Sequence, residues 1–124
     1  MSKAKELLLE CKIKLGVKTD YKLAQALEIN RARVSAYMSE NEQPDTYTAV
    51  RMALILQRDP TELIAIIQAE KEKNPKRQAF WLDFLQHVRQ TAKLYMLALI
   101  FTANLLAAQT NPEGRGFLKR KNFA

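Results

Sequence analysis

The chain predicts an all-α fold, and three observations carry that prediction. It holds only three glycines and four prolines in 124 residues, few for a chain built on strands and tight turns. Apolar residues recur at three- and four-residue spacing along most of its length, and strand-like alternation is hard to find. Capping residues, glycine and proline break that periodicity at intervals of about one helix.

The first helix is expected over residues 4–15, where Ala4, Leu7, Leu8, Cys11 and Leu15 form one apolar stripe. Gly16 supplies its stop. Thr19 or Asp20 can cap a short second helix over 21–27 that buries Leu23, Ala24 and Leu27. A brief turn, "EIN", drops Ile29 toward the core and offers Asn30 as N-cap of a third helix over 31–39. The loop "ENEQPD" is polar, and Pro44 opposes helical continuation. A fourth helix is expected over 46–57, presenting Tyr47, Val50, Ala53, Leu54 and Leu56. In "RDPTEL", Asp59 caps, Pro60 takes the first helical position and Glu62 lies in the first turn. The fifth helix then carries Leu63, Ile64 and Ile67 inward. These elements make a first domain over 1–72, and "AEKEKNPKRQ" reads as a charged hinge at 73–79.

Residues 80–109 differ in character and read as one long helix or two in series. The first part is amphipathic, with Phe80, Trp81, Phe84, Leu85 and Val88. Residues 94–108 are apolar on every face, broken only by Thr102 and Asn104. The segment 110–124, "TNPEGRGFLKRKNFA", reads as a flexible basic tail that can touch DNA phosphates, anionic lipid or RNA.

Charge is unevenly spread. Residues 1–70 hold ten Lys/Arg and ten Asp/Glu, whereas 71–124 hold ten Lys/Arg and three Asp/Glu, which accounts for the whole net charge of +7. Any nucleic-acid role for the first half therefore rests on where its charges sit. The single cysteine, Cys11, excludes an internal disulfide framework and reads as a small core hydrophobe. The N-terminus "MSKAKELLLE" has no apolar run of signal-peptide length, so a reducing cytoplasmic setting is expected. His87 is the sole histidine. No Gly-rich phosphate loop, metal-ligand cluster or Ser/His/Asp arrangement is present, so neither enzymatic activity nor a metal or other cofactor is expected.

The third helix carries the most informative pattern. At about 100° per residue, Val34, Tyr37 and Met38 fall on one side and Ala32, Ser35 and Ala36 on the other. Arg31 and Arg33 flank this outer face, one on each edge. A major groove about 12 Å wide admits one helix, and small residues let its backbone approach the base edges. Flanking arginines can then reach guanine O6 and N7, or phosphates.

The stretch "LAQALEINRARVSAYMSENEQP" resembles the lambda-repressor-like (Cro/CI, XRE) helix-turn-helix. Leu23, Ala24, Leu27, Ile29, Val34, Ser35, Tyr37 and Pro44 stand at matching spacings, and "ALILQRDPTEL" resembles that family's fourth and fifth helices. The resemblance covers about residues 4–70. It implies a five-helix DNA-binding domain followed here by a long apolar C-terminal helix. It makes Arg31, Ala32, Arg33, Ser35 and Ala36 base-reading residues, with Lys22 and Asn30 on phosphates. Four positions depart from the pattern. Glu28 and Glu40 stand where glycine is usual, Asp20 where a phosphate-contacting glutamine is common, and Glu42 where a basic residue is common. These acids are expected to weaken backbone affinity. The overall organisation also resembles small helix-turn-helix regulators of filamentous phages, through the junction "KNPKRQAFW".

Residues 94–108 must be covered by protein or lipid, with Leu97, Ile100, Phe101 and Leu105 at the interface. Fifteen residues span about 22 Å of helix, short of the roughly 30 Å of a bilayer core. A homodimer is therefore expected, with membrane association through 94–108 as the alternative. The reading reached is a sequence-specific transcriptional regulator of double-stranded DNA, a repressor of a phage or mobile element. Its alternative is a membrane-associated interaction protein of such an element that tethers protein or DNA.

Overall fold

A computed structural model describes residues 1–109, and the regular structure among them is entirely helical. The helices are α1 (Lys3–Leu15), α2 (Asp20–Leu27), α3 (Arg31–Met38), α4 (Thr46–Leu56), α5 (Pro60–Lys71) and α6 (Pro75–Gln109). The basic tail expected at 110–124 lies outside the described residues. The chain divides into two compact units, the first Met1–Val88 and the second beginning at Arg89.

Local chemistry sets the helix ends of the first unit. Ser2, Thr19, Asn30, Asp45 and Asp59 are N-caps, each with a side chain accepting a backbone N–H from the first turn. Gly16 closes α1 in the left-handed conformation at φ 69°. Glu28 and Gln57 close α2 and α4 in the same conformation, at φ 56° and 55°, without being glycine.

The core of this unit is built from α1, α2, α3, α4 and α5. Leu8, Cys11, Leu23, Leu27, Val34, Met52 and Leu63 are fully buried within it. α5 is the most enclosed element: Leu63, Ala65, Ile66, Ile67 and Ala69 are all buried, with α4 and α1 packed against it. Ile29 and Ile64 pack against the core as partly buried residues. Cys11 is buried with its thiol directed at the Met52 carbonyl, and burial pushes its pKa up to about 12.

Three expectations need correction. α4 buries Thr48, Ala49, Met52 and Ala53, whereas Tyr47 and Leu54 are exposed and Val50 and Leu56 only partly buried. The inward face is thus rotated onto Thr48, Ala49, Met52 and Ala53, the side against which α1 and α5 both pack. Leu15 is exposed, and Val17, just beyond the Gly16 stop, packs on the core in its place. Finally, α6 starts at Pro75, so residues 75–79 are helix, not hinge. Asn74 accepts the N–H of Lys76 at 3.0 Å, and Pro75 takes the first helical position. This repeats the Asp59–Pro60 start.

Residues 75–88 of α6 belong to the first unit, which therefore extends beyond the boundary expected at 72. Leu85 is buried, and Trp81 and Phe84 pack on the core beside it. Phe80, Trp81 and Phe84 form one aromatic cluster, with ring centroids 5.4 to 6.2 Å apart. His87 is exposed, its Nδ1 lying 2.9 Å from the Asp83 carbonyl oxygen one turn back.

In the second unit the described residues are all helical, and every residue of 94–109 is exposed. α6 is the one described helix long and apolar enough to cross a membrane.

Candidate nucleic-acid interface

α2 and α3 are joined by a tight connection, and its closure follows from three side chains. The Glu28 N–H donates to Gln25 O and the Ile29 N–H to Ala24 O, which ends α2. Asn30 then starts α3 by accepting the Ala32 N–H at 2.7 Å. Arg51, reaching across from α4, donates to the Ala26 carbonyl at 3.2 Å and pairs with Glu28 at 3.0 Å. The left-handed Glu28 is thereby tied to a neighbouring helix. Glu40, after α3, is also left-handed at φ 66°.

α3 is oriented by what it buries. Val34 and Tyr37 are inside, and Met38 packs beside them. The opposite side faces solvent. Arg31, Ala32, Arg33 and Ser35 are exposed and Ala36 is half-buried. The outer face is therefore slim at its centre and cationic at its edges. Lys22, on α2, is exposed as well. Asn30 is exposed, but its amide oxygen serves the cap, so only its amide NH2 can meet a phosphate.

The two arginines are not equivalent. Arg33 Nη1 lies 3.2 Å from Asp45 Oδ2, with side chains 56% and 49% exposed. Tyr37 first, and then Asp45, favour its guanidinium charge. Arg31 has no such tie among the described residues. Asp45 is in turn the N-cap of α4, and Thr48, through its side chain and then its N–H at 2.9 Å, holds the Asp45 carboxyl below the usual range. Sequence reasoning missed this coupling. An Asp-Thr pair before the fourth helix signals the cap, but nothing local reveals the reach of Arg33 to it.

The acids that depart from the family pattern are mostly engaged internally. Asp20 pairs with Lys12 at 2.7 Å across largely buried side chains. Glu28 pairs with Arg51, as above. Glu40 accepts the Ser2 N–H at 2.6 Å, a bond that lowers its pKa. Glu42 is exposed and carries no comparable partner among the described residues. Three of the four negative charges are thus partly neutralised in place, and Glu42 is the one left to repel an anion.

Of the residues predicted in the second unit, Leu97, Ile100, Phe101 and Leu105 are exposed on α6. Among the described residues no three His, Cys, Asp or Glu side chains are placed to hold a metal ion. Chemically, the α3 face offers guanidinium donors around small side chains, which suits an anionic partner rich in hydrogen-bond acceptors. No family model, curated protein or solved structure matches the chain.

Proposed function

We propose that the first unit is a lambda-repressor-like helix-turn-helix domain and that α3 reads double-stranded DNA from the major groove. The chain then acts as a sequence-specific transcriptional regulator, a repressor in its simplest form. One observation carries this reading: α3 buries Val34 and Tyr37 and turns Arg31, Ala32, Arg33 and Ser35 outward, giving a slim helix edge flanked by cations. That is the surface a groove of about 12 Å accepts.

The backbone adds support. Glu28 and Glu40 occupy the two positions where the family pattern has glycine, and both hold positive φ, at 56° and 66°. Left-handed backbone is what makes glycine the common choice at such positions. The turn geometry is therefore kept while the residue type has changed, and Arg51 and Ser2 help to hold the two glutamates there.

The roles follow. Arg31 reads a base directly. Arg33 reads one after leaving Asp45. Ala32, Ser35 and Ala36 set the approach distance, and Lys22 and the Asn30 amide meet phosphates. Selection of bound duplexes from random DNA by residues 1–88 tests the reading. Enrichment of one motif is the expected result. Equal recovery of all sequences would reduce the domain to a nonspecific binder, and no recovery would refute DNA binding.

A further inference from the structure

We infer that residues 90–109 of α6 cross a lipid bilayer as a single span, an inference independent of the DNA reading. Large apolar side chains leave this stretch in every direction. At about 100° per residue, Leu94, Phe101 and Leu105 lie on one side, Leu99 and Leu106 a third of a turn away, and Met96 and Ile100 a further third. All seven are at least half exposed. A second copy pairing along the helix covers one stripe, about two positions in seven, and leaves the others in water. A helix apolar on all sides needs cover on all sides, and lipid supplies it at once.

The length fits as well. Residues 90–109 are twenty in number, about 30 Å of helix, which matches the hydrocarbon core. The shortfall expected from 94–108 alone disappears because α6 continues without a break through Gln90, Thr91 and Ala92. Lys93 is the one charge within the span. It sits about one turn from the end, where its stem reaches the headgroups. The Thr102 hydroxyl donates to the Ala98 carbonyl at 2.8 Å, so its hydrogen bond is closed within the helix. Asn104 lies less than two turns from the far end. Arg89 precedes the span, and Arg115, Lys119, Arg120 and Lys121 follow it in sequence, as suits anionic headgroups on both sides.

The test is flotation of the full chain, synthesised in the presence of vesicles of phosphatidylcholine and phosphatidylglycerol and then washed with alkaline carbonate. The wild type should float and survive the wash. Leu99→Lys and Phe101→Lys place a charge at mid-depth on opposite faces, and each should lower the insertion equilibrium roughly a hundredfold. Gln86→Lys, outside the span, should leave it unchanged. Trp81 fluorescence checks that the first unit of each variant remains folded. A discrete dimer in buffer without lipid or detergent would overturn the inference, as would release by carbonate. Sensitivity to only one of the two mid-depth lysines would also overturn it, because a helix partner touches one face and lipid touches both.

Discussion

Asp45→Ser separates the two jobs that Asp45 performs. Serine keeps the N-cap of α4, since its hydroxyl can accept the Thr48 N–H that Asp45 Oδ1 now accepts at 2.9 Å. Serine and aspartate are near-equal caps, so stability near neutral pH should change by only a few tenths of a kcal/mol, whereas Asp45→Ala should lose about 1 kcal/mol. What serine removes is the carboxylate 3.2 Å from Arg33. Both partners are about half exposed, so water screens the pair, and such pairs are worth a factor of about 1.4 to 5 in an equilibrium. If Arg33 must leave Asp45 to contact DNA, Asp45→Ser should tighten binding to the selected duplex by up to about fivefold at low salt. The gain should shrink as salt rises. The assay is fluorescence anisotropy on a labelled duplex over a salt series, with urea unfolding of the same samples. In an Arg33→Ala background the gain should fall to what the loss of one negative charge supplies. An equal gain in both backgrounds, or unchanged affinity at unchanged stability, would show that Arg33 takes no part in the contact. The wild type also carries a pH signature. The Asp45 carboxyl titrates below its unfolded value of about 4, so its contribution is fully present above that pH. It is lost as pH falls through the folded pKa. Asp45→Ser should therefore flatten the acid limb of the stability curve below about pH 4.

Arg31→Ala should cost about 1–3 kcal/mol on the selected site and relax one base position, whereas Lys22→Ala should weaken all duplexes alike and shallow the salt slope; competition titrations distinguish the two. Truncation after residue 78 removes Leu85, Trp81 and Phe84 from the core, so it should cost about 2–4 kcal/mol in urea unfolding relative to truncation after Val88. Cys11, buried and titrating near 12, should resist thiol reagents in the folded protein and react on unfolding. Because its folded pKa is raised, its proton is lost from the unfolded chain first. Stability should therefore decline as pH rises above about 9, with less decline in Cys11→Ala.

Much of the fold was legible because its signals are local. Gly16, Asn30, Asp59 and Pro60 act on backbone groups within four residues of themselves, and the helix ends fall where they stand. The buried faces of α2 and α3 were legible for a similar reason, since Leu23, Ala24, Leu27, Val34 and Tyr37 follow the helical period. The start of α6 was equally local. Asn74–Pro75 is a cap and a first-turn proline, and the surrounding charges hid it.

The all-helical class, the boundaries of α1, α2, α3 and α4 and the outward arginines of α3 came from the amino-acid sequence alone, through capping chemistry and periodicity. Tertiary structure decided the rest. It turned α4 onto Ala49 and Met52 and left Leu54 in solvent, because the packing of α1 and α5 sets which face of α4 is covered. It closed the first unit with Leu85, more than a dozen residues beyond the apparent boundary. It paired Arg33 with Asp45, Asp20 with Lys12 and Glu28 with Arg51, partners 8 to 23 residues apart. Such pairs depend on how helices pack, and no pattern with the period of a single helix records them.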